Sequence, residues 1–369
     1  MKNKPLLPRI IALFVISRLF FLIIASLSHY FIKIDPGYLG SQVSRGEPSW
    51  VWVWANMDGR HFINIASLGY SGTNFAYFPL YPLLINLISG ATVPTPILSG
   101  LLISLLSVVL AVYYLFKIID LDKHKVSKTE VALLLFFFPY SFILNAVYAD
   151  SLFLFLTTAS FYYALKGKWW TAGVLALFAS LTRLSGLALL PALVVEWWLQ
   201  KKASKKALLA PFLSFSGFAI YAAYLQITQG NWRLFQSSMS AWKQEKLVFI
   251  TRVFYRYLKI FFKVSPGLLV YWIAVLEFAA FILYSMLSIF VWKKIRASYG
   301  IFMLVSLSLV TFTGTFAGTP RYLIHLFPAF IGLALLMKTN PRLRFIYYPA
   351  TFILGILITA FFVQGYFVG

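Results

Sequence analysis

Acidic residues are scarce in this sequence, so each one can be weighed as a catalyst. The chain has 10 Asp and Glu against 32 Lys and Arg, which gives a formal net charge of +22. Asp58 stands in the run W-A-N-M-D-G-R-H-F, with Arg60 and His61 beside it among aromatic residues. A lone carboxylate in such a setting can act as a general base towards a substrate hydroxyl. The alternative is an Asp that caps the helix that follows, and spacing alone leaves both interpretations open.

Three other polar residues stand where apolar stretches begin or end. Asp150 precedes an apolar stretch, where it either caps a helix or serves as a functional acid, because a carboxylate at membrane depth is costly. Arg183 and Arg321 either contact an anionic group or extend towards lipid headgroups. The D-L-D motif at Asp120–Asp122 has the form of a metal-binding pair, but its Lys- and His-rich surroundings favour a solvated loop. No metal site is therefore predicted.

The composition excludes a soluble globular protein. Hydrophobic residues make up 61% and charged residues 11% of the 369 residues, against about 45–50% and about 25% in soluble domains. Apolar stretches long enough to cross a bilayer recur from end to end. Most of the excess basic residues fall between these stretches, which indicates loops at a membrane surface and not a nucleic-acid-binding protein. Cysteine is absent, so disulfides and cysteine-based metal sites are excluded.

About 11 membrane-spanning helices are predicted from these stretches. They are expected at Ile10–Ile32, Ile97–Ile119, Val131–Ala149, Ser151–Leu165, Trp169–Thr182, Leu184–Leu199, Ala207–Thr228, Pro266–Trp292, Tyr299–Thr315, Tyr322–Met337 and Phe345–Val363. Trp169–Thr182 and Leu184–Leu199 are short for full spans and predict a helical hairpin with Arg183 at its turn. The predicted fold is thus all-helical and polytopic, with residues 1–369 forming one membrane-embedded domain.

Basic residues in alternate loops predict the orientation in the membrane. The expected cytoplasmic groups are Lys2 and Lys4; Lys123, Lys125 and Lys128; Lys166 and Lys168; Lys201, Lys202, Lys205 and Lys206; Lys293, Lys294 and Arg296; and Lys338, Arg342 and Arg344. This assignment places the N-terminus in the cytoplasm and leaves two long external loops, residues 33–96 and 229–265. The second loop mixes Arg and Lys with Trp and Phe, as an interfacial segment does.

The run from Trp54 to Pro82 resembles the first external loop of the PIG-V-like family, the relatives of GPI mannosyltransferase II. The family pattern is an acid followed by His-Phe, Ile-Ala, Gly-Tyr and a Phe-Pro-Leu-Tyr-Pro box. It is matched at Asp58, His61, Phe62, Ile65, Ala66, Gly69, Tyr70 and Phe78 to Pro82. Three later segments are similar to family elements in the same order, namely Tyr148–Phe153, the Arg-centred turn Leu181–Gly186, and Pro320–Tyr322 with Pro328. Two positions depart from the pattern: Ser71–Asn74 lacks an acid that is usual there, and Asp150 stands where glutamate is commoner.

The resemblance implies an integral-membrane glycosyltransferase of the GT-C class that takes mannose from a polyprenyl-phosphate-linked donor. The long first external loop would then carry the catalytic base, Asp58. The expected substrate-binding residues are Arg60, His61, Asp150, Arg183, Arg321 and Tyr322. The leaving group is already an anionic phosphate, so it needs cations and no general acid. The implied partners are this donor, a glycolipid or glycan acceptor and membrane lipids, with no cofactor, no metal and no nucleic acid.

Two alternatives stay open. A transporter or flippase of an amphiphilic lipid-linked sugar would use the same acids and arginines along a translocation path. Such a path needs polar groups at mid-membrane, whereas these groups are predicted at one face. The second alternative is a transferase of another polyprenyl-linked hexose, because no residue distinguishes mannose from such a sugar. The absence of an N-x-S/T site fits a prokaryotic cell membrane, with the active site on the external face.

Overall fold

The computed structural model of the chain describes residues 6–35, 46–91, 95–121, 126–201, 204–242 and 244–368. In these ranges the regular structure is helical and no strand is found, so the predicted all-helical class is confirmed. The α-helices are α1 Leu6–Phe31, α2 Ser49–Trp52, α3 Asp58–Leu68, α4 Leu80–Ala91, α5 Pro96–Leu121, α6 Lys128–Phe136, α7 Asp150–Leu165, α8 Trp169–Thr182, α9 Leu189–Leu199, α10 Leu213–Gln229, α11 Leu234–Ser237, α12 Ile250–Lys263, α13 Leu269–Lys294, α14 Ala297–Thr311, α15 Thr319–Tyr322, α16 Phe327–Thr339 and α17 Arg342–Val363. Some of the predicted loop residues lie outside the described ranges: Lys2, Lys4, Asp122, Lys123, Lys125 and Lys202.

Five helices are long and apolar enough to cross a membrane. They are Pro8–Phe31, Pro96–Leu121, Lys205–Gln229, Leu269–Lys294 and Arg342–Val363. The pair Thr319–His325 and Phe327–Thr339 bends by 89° and makes a sixth if it is counted as one span. All six fall on predicted spans, and together they give the chain the helices of a multi-pass membrane protein.

The other five predicted spans correspond to shorter or interrupted helices. Val131–Ala149 divides into α6 and a 3-10 turn at Ser141–Asn145. Pro139 lies between them, and it interrupts the helix because proline cannot donate the backbone hydrogen bond that a helix needs. The two halves of the predicted hairpin are short helices, since α8 ends at Thr182 and a 3-10 turn that starts at Leu184 leads into α9. Helix α8 packs against α10 and α9 against α14, and the hairpin stays a prediction. Helix length therefore supports five or six spans, and the total of eleven stays a prediction.

The chain divides into two compact units, and the first consists of the residues up to Tyr70, Pro79–Tyr162 and Leu333–Val368. Within this unit α1 packs against α17 and α5, while α4 packs against both α3 and α5. Arg18, midway along α1, is buried, and its guanidinium carbon lies 5.0 Å from the ring centroid of Phe14. Such cation–π contact offsets part of the cost of placing a charge within a span.

The second unit consists of residues 71–78 and Tyr163–Gly332. Helix α8 packs against α10, and α13 and α9 both pack against α14. The approach of α8 and α10 is close at Gly217, where a Cβ atom would lie 2.3 Å from the carbonyl oxygen of Leu177. Glycine is required there because any side chain would push the two helices apart.

A buried ion pair joins α9 to the start of α14 within the second unit. Glu196 is fully buried and accepts hydrogen bonds from Nε and Nη2 of Arg296, at 2.6 and 2.7 Å. The hydroxyl of Ser298 and the amide of Gln200 each donate a further bond to the same carboxylate, both at 2.7 Å. This carboxylate is satisfied by its neighbours, as a buried charge must be.

Candidate active site

The chain makes a strained turn immediately before Asp58. The amide of Gly59 donates to the carbonyl oxygen of Asn56 at 3.2 Å, which closes a four-residue turn. Met57 has φ 55° and ψ −113°, and it is the only non-glycine residue with positive φ in the described ranges. These angles are those of the first central position of a type II′ turn, which glycine usually occupies. Strain of this kind concentrates at functional sites, and here it lies at the residue directly before Asp58.

Side chains distant in sequence hold this turn in place. The hydroxyl of Tyr148 donates to the carbonyl oxygen of Asn56 at 3.0 Å and lies 3.2 Å from the amide nitrogen of Asp58, from which it accepts. The side-chain amide of Asn56 donates to the carbonyl oxygen of Phe362 at 3.0 Å. Tertiary contacts therefore fix the backbone at Asp58. The local sequence does not favour this turn, because the residue with positive φ is a methionine.

The same tyrosine connects the turn to two further segments of the first unit. The carbonyl oxygen of Tyr148 accepts from the hydroxyl of Ser104 at 3.2 Å, and that hydroxyl lies 2.8 Å from the hydroxyl of Tyr81. Burial raises the pKa of Tyr81 well above its usual value, and the charge of the nearby Asp150 adds to the effect. The acid turn, the segment that starts at Tyr148 and the Phe-Pro-Leu-Tyr-Pro box thus meet in one place.

Asp58 is the first residue of α3 and is not its cap. Met57 occupies the cap position and makes no side-chain capping bond. Asp58, Arg60 and His61 are each partly exposed, whereas Phe62 behind them is buried. The carboxylate thus lies in the first helical turn, where the helix dipole favours its negative charge. Asp150 is also first in its helix, α7, but is completely buried.

Two predicted cationic residues meet on one aromatic ring in the second unit. The guanidinium carbons of Arg183 and Arg321 lie 5.3 and 5.5 Å from the ring centroid of Tyr322. Arg183 follows the last residue of α8 in an extended conformation, and Arg321 belongs to the short helix α15. Both arginines are partly exposed, so the pair can offer positive charge to an anionic group. Contact with the Tyr322 ring orients the two guanidinium groups.

A buried acid anchors the loop that precedes Arg321. Glu277 of α13 accepts a hydrogen bond of 2.5 Å from the hydroxyl of Tyr257 and one from the backbone of Gly318. The Tyr257 hydroxyl in turn accepts from the amide of Phe316 at 3.1 Å. The backbone of Phe316 and Gly318, just before Pro320, is therefore hydrogen-bonded to two buried side chains. These bonds fix the position of the backbone that leads to Arg321.

The predicted site residues fall into two groups, and the structure brings residues together within each group. Asp58, Arg60, His61 and Asp150 belong to the first unit, and Arg183, Arg321 and Tyr322 to the second. Asp120 of the D-L-D motif pairs with Lys128 at 2.5 Å on an exposed surface. Within the described ranges, no group of three or more His, Asp or Glu side chains is arranged to hold a metal ion.

Sequence reasoning missed two features of these groups. The strain at Met57 has no signal in the sequence, because a methionine gives no indication of positive φ. Glu277 did give a signal, since an acid within a predicted span is expensive and is expected to have a partner. That signal could have directed attention to Tyr257, a polar residue on the amphipathic segment that precedes the span.

The sequence matches no protein-family model, and no curated protein is significantly similar to it. The family resemblance therefore depends on the motifs at Trp54–Pro82, Tyr148–Phe153, Leu181–Gly186 and Pro320–Tyr322 alone.

Proposed function

We propose that this chain is an integral-membrane glycosyltransferase of GT-C type, which transfers mannose from a polyprenyl-phosphate-linked donor to a lipid or glycan acceptor. The main support is the meeting of two separately matched segments, Trp54–Pro82 and Tyr148–Phe153, around Tyr148. The hydroxyl of this residue holds the strained turn before Asp58, and its carbonyl is linked through Ser104 to Tyr81. Segments matched separately in sequence would have no reason to converge on an acid if the resemblance were accidental.

In the proposed reaction Asp58 acts as general base. Its carboxylate takes the proton of the acceptor hydroxyl while the hydroxyl oxygen forms a bond to the anomeric carbon of the donor sugar. The bond between the anomeric carbon and the phosphate oxygen breaks, and polyprenyl phosphate leaves with the electron pair. One displacement inverts the anomeric configuration, as in inverting glycosidases. No group has to protonate the leaving phosphate, because it is stable as an anion.

The departing phosphate gains negative charge, and we assign Arg183 and Arg321 to stabilise it. Both guanidinium groups are held by contact with Tyr322, so little ordering is needed when the anion forms. Arg60 and His61 share the first turn of α3 with Asp58 and are assigned to the sugar or acceptor. Asp150 is assigned to the same region through its proximity to Tyr81.

The proposed topology has eleven crossings, an N-terminus in the cytoplasm and the active site on the external face of a prokaryotic cell membrane. The short helices α8, α9 and α14 would then cross with the help of the turns that extend them. Basic residues at Lys166, Lys168, Lys293 and Lys294 would face the cytoplasm.

A transporter or flippase of an amphiphilic lipid-linked sugar is the second candidate. It is favoured by two ionisable residues inside long apolar helices, Arg18 in α1 and Glu277 in α13. Ionisable residues within spans often mark translocation paths. Both have partners in aromatic or polar groups of their own unit, however, which also suits a structural role.

The test is to incubate membranes that contain the protein with radiolabelled polyprenyl-phosphate-mannose. We expect Asp58→Asn to lower the rate of label transfer by about 10²- to 10⁴-fold. Asp120→Asn serves as the matched control, because Asp120 is an exposed acid of the same unit and should leave the rate unchanged. Equal transfer by wild type and Asp58→Asn would rule out the base. If wild type moves the labelled donor between leaflets of sealed vesicles but transfers no label, the transporter replaces the enzyme.

A further inference from the structure

Helix α12 is joined by a short linker to the candidate membrane span α13. The candidate span α13 begins at Leu269. Only residues 264–268 separate the end of α12 from that residue. Five residues reach about 17 Å even when fully extended, so the C-terminal end of α12 stays close to the start of the span.

One face of α12 packs against its own unit. Val253 and Tyr257 are buried in a cluster with Phe281 and Phe316, and the Tyr257 hydroxyl bonds to Glu277. This face is therefore occupied, and its contacts fix the rotation of α12 about its axis.

A second face carries the basic residues. Arg252, Arg256, Lys259 and Lys263 recur at intervals of three and four residues, so they form one stripe along the helix. Arg256 also donates to the carbonyl oxygen of Gly314 at 2.6 Å. No acidic residue occurs between Lys246 and Leu276, so nothing in this part of the sequence neutralises the stripe.

A third face exposes large apolar side chains beside the basic stripe. Tyr255, Leu258 and Phe262 project within about 60° of one another around the helix, and Phe262 is 85% exposed and Tyr255 68% exposed. The preceding Leu247 and Phe249 are also about as exposed as Phe262. A soluble anionic partner would explain the cations but not these side chains, whereas a bilayer interface accommodates both.

We infer that α12 lies at the bilayer interface and binds the headgroups of anionic phospholipids. Arg252, Lys259 and Lys263 contact the headgroup phosphates, while Leu258 and Phe262 enter the acyl region below them. The positive stripe and the adjacent apolar face together match an anionic lipid surface in charge and in polarity. This interaction does not depend on the reaction proposed above.

The absence of cysteine from the chain permits a direct test in the full-length protein. Phe262→Cys is labelled with a small fluorophore and reconstituted in phosphatidylcholine vesicles. A fixed fraction of lipid then carries a doxyl quencher close to the headgroup, on either phosphatidylglycerol or phosphatidylcholine. We expect the phosphatidylglycerol quencher to be the more effective at this position, because the adjacent cations enrich it locally.

The charge dependence is tested in the same labelled protein. Replacing Arg252, Lys259 and Lys263 by Gln should abolish the preference for phosphatidylglycerol, since each charge contributes about fivefold in affinity. The control replaces Lys166, Lys201 and Lys206, three exposed basic residues of the same unit, and should keep the preference. A second label at Leu283, an exposed residue further along α13, should show no preference and gives the bulk value.

Two results would overturn the inference. Equal quenching by the two lipids at position 262 in the wild-type background would show that the basic stripe does not select anionic headgroups. Absence of quenching by either lipid, with quenching by an aqueous agent instead, would show that α12 faces water and is open to a soluble partner.

Discussion

The hydroxyl oxygen of Tyr148 lies 3.2 Å from the amide nitrogen of Asp58, a residue 90 positions earlier in the chain. The same hydroxyl donates to the carbonyl oxygen of Asn56 at 3.0 Å, so one side chain contacts both arms of the turn around Met57. Tyr148 therefore fixes the backbone of the acid through main-chain contacts. It acts as a positioning residue in the proposed reaction, not as a catalytic one.

Tyr148→Phe should lower the turnover of label transfer with little change in the KM for the donor. The ring still fills its buried space, but two backbone groups lose a partner, which costs about 1–3 kcal/mol. Turnover should fall by about tenfold or more, because a small displacement of a base has a large effect on the rate. Steady-state kinetics of label transfer in reconstituted vesicles measure both constants.

The control for that substitution is Tyr140→Phe. Tyr140 is equally buried in the same unit, and its hydroxyl donates to the carbonyl oxygen of Val368 at 2.6 Å. It should lose similar stability while turnover stays near the wild-type value. A comparable fall in turnover in both variants would reduce the role of Tyr148 to general packing.

Much of the fold could be predicted because bilayer length and composition constrain it strongly. The long helices α1, α5, α13 and α17 fall on predicted spans, since about 20 apolar residues have few other uses. The interruption at Pro139 was less accessible, because a proline can kink a span or end it. Short helices such as α8 are ambiguous in sequence for a different reason, since their length fits neither a full span nor an ordinary loop.

The site was predictable only as far as residue type carries information. Asp58 could be singled out because acids are rare and its surroundings are aromatic, and Arg183 and Arg321 because each stands where an apolar stretch begins or ends. Their shared contact with Tyr322 depends on tertiary packing that joins residues 183 and 322, which no local pattern encodes. The same holds for the strain at Met57, which exists because distant groups over-determine the turn.

Met57→Gly should be tolerated, whereas Met57→Val should not. Glycine adopts a φ of 55° without strain, and a β-branched side chain is the least able to do so. The free energy of unfolding should differ between the two variants by about 1–3 kcal/mol. Denaturant unfolding in detergent provides the comparison, and label transfer should survive in the glycine variant. If valine were as stable as glycine, the positive φ at this position would not be a source of strain.

Arg321→Gln should weaken the stabilisation of the departing phosphate. A charge-assisted hydrogen bond contributes about 1.5–3 kcal/mol, so kcat/KM should fall by about 10- to 100-fold. Inhibition by the product, polyprenyl phosphate, should weaken as well, since it carries the same anion. Arg233→Gln is the matched control, because Arg233 is an exposed arginine of the same unit that lies 5.2 Å from the ring centroid of Trp232. Unchanged product inhibition in Arg321→Gln would exclude this residue from the phosphate site.

Tyr257→Phe should loosen the loop that precedes Arg321. Burial and the adjacent Glu277 raise the pKa of the Tyr257 hydroxyl far above its usual value, so it stays protonated at physiological pH and donates to the carboxylate. Its removal leaves a buried acid with one donor fewer and should cost about 1–3 kcal/mol in unfolding free energy. Tyr271→Phe is the control, because the ring of Tyr271 packs against Phe261 of α12, the helix that also carries Tyr257. We expect product inhibition to weaken in Tyr257→Phe alone, and an equal effect in both would contradict the anchoring role.

Breaking the ion pair of Glu196 and Arg296 should destabilise the second unit more than replacing both residues. Glu196 is fully buried, so Arg296→Met leaves an uncompensated charge and should cost about 3–5 kcal/mol. Glu196→Leu combined with Arg296→Met removes both charges and should recover most of that loss, because apolar packing often equals a buried pair. A double-mutant cycle on unfolding in detergent measures the coupling between the two residues.

The control is Arg344→Met, which breaks the more exposed pair with Glu130 and should have a smaller effect than Arg296→Met. A double variant that instead lost as much unfolding free energy as the two single variants combined would show that the two residues contribute independently. The argument from an uncompensated buried charge would then fail.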